Sequence, residues 1–333
     1  MLWLWILLAL LVVVLAVLIG GALFFFDFTV RRYPHAKFPQ GDDASMTLWE
    51  NAVREGGKVL DALPFEAWDC TSHDGLALRA RFYPAAAPSA RTMVCVHGYR
   101  STGVRDYAPL AGSYHARGWN LLLVDDRAHG ESEGNYIGFG WLDHDDVLTW
   151  LAQLHRRRPQ DAALVQGISM GSAAVMLAAG DARFPAFVRG VVADCGYESA
   201  WAEFQWEMRQ MFHLPPFPLL NVTDLVCRAR AKYSFRQADA AAAMRRCHTP
   251  VLFIHGEADT FVPTRMVHTV YDACAAPKTL LLVPGAGHAQ SCIVDKPAYL
   301  AAVDRFAQSV GFADAPVSET AAEAAVPETA SAK

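Results

Sequence analysis

A serine stands at the centre of Gly167-Ile168-Ser169-Met170-Gly171. A short apolar run, Ala162 to Val165, precedes it, and a helix-compatible run, Ser172 to Ala179, follows. Strand, sharp turn and helix, with the serine at the apex, is an arrangement that presents a hydroxyl for nucleophilic attack. The turn forces unusual backbone angles on the serine and crowds its flanks, where only glycine leaves room. A serine hydroxyl is a poor nucleophile at neutral pH. It needs a base to take its proton and a carboxylate to orient that base. In this setting the partners belong on loops after later strands, acid first and histidine second. Val251 to Ile254 leads into His255-Gly256-Glu257-Ala258-Asp259, and Leu280 to Val283 leads into Pro284-Gly285-Ala286-Gly287-His288. Asp259 is the candidate acid, with Glu257 competing for the role, and His288 is the candidate base.

A carbonyl attacked by such a serine becomes an oxyanion, which needs two N–H donors aimed at it. The backbone N–H of Met170, at the start of the helix after the nucleophile, is one candidate. The loop after the Met93 to Val96 strand, His97-Gly98-Tyr99-Arg100, offers the N–H of Tyr99 as the other. The loop Asp125 to Gly134 is rich in Asp, Glu and His but has no metal-ligand spacing, so its expected role is structural and no metal site is expected. Cys195 reads as a buried structural thiol.

These residues require a sheet to hold them. Glu66 to Ser72 and Leu76 to Tyr83 read as a hairpin about the turn His73-Asp74-Gly75. Met93 to Val96, Leu121 to Val124, Ala163 to Val165, Gly190 to Ala193, Val251 to Ile254 and Leu280 to Val283 are near-continuously apolar, as strands covered on both faces are. Helical stretches at Tyr107 to Arg117, Leu142 to Arg157, Met170 to Ala179, Arg265 to Cys274 and Ala298 to Val310 alternate with them. The pattern predicts an α/β fold with a mostly parallel sheet and helices on both faces. The stretch from Cys195 to Cys247 is too long for an ordinary crossover. Its amphipathic part, Trp201 to Phe212, stops at Leu214-Pro215-Pro216-Phe217-Pro218. It reads as a short helical cap over the strand ends, about residues 196–247, with Trp201, Phe204, Trp206 and Phe212 as candidate substrate contacts.

Composition bounds the setting. The chain has 333 residues, 53% hydrophobic and 19% charged, with a net charge of -5. No basic cluster alternates with aromatics, so a nucleic-acid partner is not expected. The seven cysteines are scattered without paired spacing, which suits neither a zinc site nor a disulfide framework. Leu2 to Phe26 carries no charge and is long enough to span a bilayer core of about 30 Å. Its length and the lack of Lys or Arg before it argue against a cleaved signal peptide and for a single-pass anchor in the lipid bilayer. Arg31, Arg32 and Lys37 follow the span, which places the body on the cytoplasmic side by the positive-inside rule. The expected organisation is an anchor at 1–32, a juxtamembrane segment at 33–65, a catalytic domain at 66–312 and a disordered tail at 313–333.

His97-Gly98-Tyr99, Asp126-Arg127-Ala128-His129-Gly130-Glu131-Ser132, Gly167-Ile168-Ser169-Met170-Gly171, Val192-Ala193-Asp194-Cys195, the run Pro250 to Gly256 and Gly287-His288 together resemble the α/β-hydrolase superfamily. More narrowly they are similar to membrane-anchored Bem46-type and serine aminopeptidase (S33)-like hydrolases. The resemblance covers about Trp68 to Phe312. It implies a Ser-Asp-His triad on Ser169, Asp259 and His288 and no cofactor. The expected activity is hydrolysis of an ester, thioester or amide, on a small-molecule or acyl-chain substrate. A peptidase that removes N-terminal residues is the alternative within enzymes, and it requires an acidic pocket for the substrate amine. A catalytically inactive binding scaffold is the alternative outside them.

Overall fold

The computed structural model describes residues 1–32 and 44–312. Part of the segment expected to be juxtamembrane (33–43) and the whole of the expected disordered tail (313–333) lie outside the described residues. The elements follow one another as α1 (Leu2–Thr29), α2 (Ala44–Ala62), β1 (Glu66–Thr71), β2 (Ala77–Tyr83), β3 (Arg91–Val96), α3 (Gly103–Ala116), β4 (Asn120–Asp125) and α4 (Asp143–Arg157). Then come β5 (Ala162–Ile168), α5 (Met170–Ala179), β6 (Val188–Asp194), α6 (Ala200–Gln210), α7 (Leu219–Arg230) and α8 (Ala240–Met244). The chain continues through β7 (Val251–Gly256), α9 (Arg265–Ala273), β8 (Lys278–Val283), α10 (Ser291–Val294) and α11 (Lys296–Ser309).

The eight strands form one sheet in the order β1-β2-β4-β3-β5-β6-β7-β8. The β1–β2 hairpin is antiparallel and joins antiparallel to β4; the remaining pairs are parallel. The apolar runs explain the placement. β3, β5 and β7 are buried along almost their whole length, as central strands covered on both faces must be. β1 at the edge alternates buried and exposed residues. Side chains of alternate parity separate into two apolar layers. Val94, Val96, Leu122, Val165 and Phe253 pack under α4, α5, α8 and α9. Met93, Cys95, Leu121, Leu164 and Ile254 pack under α2, α3 and α11 on the other face. The helix α2 comes from the segment read as juxtamembrane, and its Leu60 is fully enclosed in the second layer.

A third apolar cluster lies over the carboxyl ends of the strands. It joins Met170, Val262 and Met266 to the cap residues Met208, Leu220 and Phe235, and to Phe26 and Val30 at the end of α1. Two helices, α6 and α7, lie over the strand ends, where the sequence pattern had marked one.

Candidate active site

The turn from β5 into α5 carries Ser169 at φ 55° and ψ −113°. A non-glycine residue holds such angles only where its surroundings fix them. The flanking glycines show what fixes it. A Cβ on Gly167 would lie 2.2 Å from the carbonyl oxygen of Gly171, and one on Gly171 would lie 2.3 Å from that of Val96. The helix thus begins in contact with the end of the neighbouring strand, and no side chain fits between them.

His288, on the loop after β8, lies with Nε2 2.8 Å from Ser169 Oγ and Nδ1 2.8 Å from Asp259 Oδ2. Asp259 follows β7, and its other oxygen accepts the N–H groups of Phe261 (3.0 Å) and Val262 (2.9 Å). The carboxylate is fully enclosed, while the imidazole keeps 23% of its surface exposed. Burial works against the charge on Asp259, but the imidazoles of His288 and His255 outweigh it and hold the carboxyl at about 2. It is therefore an anion throughout the neutral range. Of the two candidate acids, Asp259 is the one beside His288; the competing Glu257 is exposed on the same loop.

Tyr99 and Met170 approach the same serine. An added Cβ on Gly98 would sit 3.4 Å from Ser169 Cβ, which places the loop after β3 directly against the nucleophile. The N–H of Gly98 donates to Asp106 Oδ2 at 2.8 Å, and that of Arg100 donates to His129 Nε2 at 3.0 Å. These bonds fix the planes before and after the one that carries the Tyr99 N–H. That plane is held through the Gly98 carbonyl, which lies 2.7 Å from His97 Nδ1 and accepts the N–H of Ser101 at 3.3 Å. His129 serves as acceptor because burial, with His97 beside it, keeps its ring neutral. The loop Asp125 to Gly134 thus braces the loop after β3, and Arg127 ties it to Asp146 (2.6 Å) and Asp74 (2.9 Å).

Of the four cap aromatics, Trp201, Phe204 and Trp206 pack against the apolar cluster that holds Met170. Trp206 donates its indole N–H to the carbonyl of Thr260 at 3.0 Å, next to the acid. Phe204 packs on Phe139 and Phe235. Trp201 lies under the Arg236 guanidinium, and Phe212 packs against Phe25 and Phe28 of α1. Phe261, not singled out in the sequence, brings its ring within 4.9 Å of the His288 ring. Its position two residues after the candidate acid was the available signal.

Glu203 and Glu207 were also missed. They stand one turn apart on α6, and Glu203 is 7% exposed. Neither oxygen of Glu203, nor Oε2 of Glu207, has a hydrogen-bond partner. Burial and then the charge of Asp259 raise the Glu207 carboxyl to about 7; burial, with Glu207 and Asp259 nearby, drives Glu203 well above the usual carboxylate range. Among the described residues, no group of three or more His, Cys, Asp or Glu is placed to hold a metal ion.

Comparison with known proteins bears on the fold. Residues 87–215 match the family described as serine aminopeptidase, S33. The Pyrococcus furiosus esterase Pf2001 superposes with a TM-score of 0.61 at 20% identity, over 76% of this chain and 95% of that one. The chain has the α/β-hydrolase fold. The chain also superposes on an acylaminoacyl peptidase of Pyrococcus horikoshii, with a TM-score of 0.55 at 16% identity, over 76% of this chain and 43% of that one. In sequence it is 29% identical over 190 residues to the Bacillus subtilis protein YqkD, described as uncharacterized. That match takes in 57% of this chain and 62% of YqkD, a little under two thirds of the relative. It is 26% identical over 230 residues to Escherichia coli (strain K12) YfhR, likewise described as uncharacterized, over 67% and 73% of the two chains. One helix among the described residues, Leu2–Thr29, is long and apolar enough to cross a membrane, a property that an anchor and a signal sequence share.

Proposed function

We propose that the protein is a membrane-anchored serine hydrolase that cleaves an acyl ester, thioester or amide through an acyl-enzyme. The reading is carried by the relay Ser169 Oγ, His288 Nε2, His288 Nδ1 and Asp259 Oδ2, with both bonds at 2.8 Å. His288 takes the serine proton as Oγ attacks and returns it to the leaving group. The N–H groups of Tyr99 and Met170 receive the oxyanion. Water repeats the sequence and frees the acid. The apolar cluster beside Met170, continuous with the end of α1, suits an acyl chain drawn from an amphiphile. Labelling with a fluorophosphonate tests the nucleophile: the wild type should react, and Ser169→Ala should not. Equal labelling of both would place the chemistry elsewhere.

Glu203 and Glu207 favour a second reading, removal of an N-terminal residue from a peptide. That reaction needs buried carboxylates to receive the substrate ammonium, and this pair has oxygens without partners. A carboxyl raised to about 7 is neutral below that pH and anionic above it. Turnover of a permanently charged substrate should therefore rise with pH relative to a neutral isostere. The p-nitroanilides of trimethylglycine and of tert-butylacetic acid are such a pair. Their kcat/KM ratio should climb roughly tenfold through pH 7, equivalent to one charge contact of about 1.4 kcal/mol. Glu207→Gln should remove the climb. A flat ratio in the wild type would leave the acyl ester as the better substrate class, and an octanoyl p-nitrophenyl ester should then outperform the acetyl ester.

A further inference from the structure

The end of α1 does not hang free of the body. Ala22, Phe25 and Phe26 are buried, whereas the most apolar stretch of the helix is uncovered along its length. The cap is what covers them. A Cβ on Gly21 would lie 3.3 Å from Leu219 at the start of α7, and Arg230 at its other end pairs with Asp27 at 3.3 Å. These contacts fix the depth of the cap relative to the helix. The run from Leu2 to Gly21 is about 30 Å long at 1.5 Å per residue. That is the full thickness of a bilayer's hydrocarbon core. If α1 spans, the level of Gly21 is the edge of the hydrocarbon, and the turn that leads into α7 stands at that edge.

The side chains of this turn fit such a place. Phe217 is 75% exposed, Met211 48% and Leu214 39%, and Leu225 on α7 is 60% exposed. Exposed apolar groups of this size clustered beside a membrane helix have an apolar phase to enter. Nearer the level of Asp27, the surface turns basic. Arg228, Lys232 and Arg236 line a shallow cavity of about 300 Å³ beside the end of α7, where Arg228 also pairs with Asp224 at 2.9 Å. Apolar groups at hydrocarbon depth with cations behind them at headgroup depth match the layering of a bilayer with anionic lipid.

We propose that the Leu214–Phe217 turn and the outer side of α7 form a second membrane contact, so that the cap lies on the lipid surface beside the anchor. The cleft then faces the bilayer, and an amphiphile reaches Ser169 without crossing water. The inference rests on α1 being retained as a spanning anchor, and the test separates the two. The seven native cysteines are all buried, so a single introduced thiol can be labelled selectively. Three full-length variants, Phe217→Cys, Gln160→Cys and Leu7→Cys, carry an environment-sensitive nitrobenzoxadiazole label in phosphatidylcholine vesicles with a fraction of phosphatidylglycerol. Gln160 precedes β5, at the opposite end of the sheet from the cap. Lipids bearing a nitroxide on the acyl chain should quench the labels at 217 and 7 severalfold more than the label at 160. Quenching at 7 without quenching at 217 overturns the second contact and leaves the anchor standing. No quenching at either removes the anchor and this inference together. A blue-shifted label at 217 that nitroxide lipids do not quench means that another copy of the chain covers the turn, and it also overturns the contact.

Discussion

Ser169→Ala should lower kcat toward a p-nitrophenyl ester by about 10⁶ while leaving the fold intact. The size of the effect follows from where the hydroxyl sits. Its Oγ is the atom held 2.8 Å from His288 Nε2. The backbone at this position is strained at φ 55° in a chain packed on every side, and alanine tolerates those angles no worse than serine does. Thermal unfolding of the variant should therefore match the wild type within a few degrees. The KM, where it reports binding, should move little, because the oxyanion donors and the apolar cluster remain. A loss of less than tenfold in kcat would mean that another group attacks the substrate. A large loss accompanied by loss of the folded state would mean that the hydroxyl is structural.

The location of Ser169 was legible because the physics that buries a parallel strand also writes it plainly. β5 and β7 are buried and read as apolar runs. β8, at the sheet's edge, reads the same way although only Val283 of it is buried rather than both faces being covered, and the residues now brought together follow the ends of these runs. Topology then does the rest, since parallel neighbours must end on the same edge of the sheet. Asp259 and Glu257 were harder to separate by sequence. They share one loop, and only the fold shows that the N–H groups of Phe261 and Val262 turn Asp259 inward. The cap was least legible. An amphipathic helix is read with its charges outward, and Trp201 to Phe212 was read with its aromatic side toward the substrate. In the fold Glu203 is buried with Ala200 and Met208, Trp201, Phe204 and Trp206 pack partly buried against the same apolar cluster, and Phe212 reaches back to α1. Periodicity reports that a helix has two faces, not which of them meets the cleft. The docking of Phe25 and Phe26 was hidden for a related reason. A uniformly apolar span carries no mark that distinguishes turns covered by lipid from turns covered by protein.

Asp259→Asn should reduce kcat by about 10⁴ at neutral pH, more than the loss of one charge near an imidazole would suggest. The reason is the clamp around the carboxylate. Oδ1 accepts two backbone N–H groups, so an asparagine here must place its carbonyl oxygen at that position. Its amide NH₂ then points at His288 Nδ1, where Asp259 Oδ2 now lies 2.8 Å away. A nitrogen facing a donor must accept, so the ring proton moves to Nε2 and is directed at Ser169 Oγ. In that tautomer His288 cannot take the serine proton. The variant should retain the fold and still bind substrate, with kcat carrying most of the loss. Its activity should recover toward high pH, as hydroxide replaces the missing base. Asp259→Ala leaves the ring free to choose either tautomer and should cost less than Asp259→Asn per active site. If the two variants were equally impaired, the carboxylate would be acting through its charge alone, and the orientation argued from Phe261 and Val262 would be wrong.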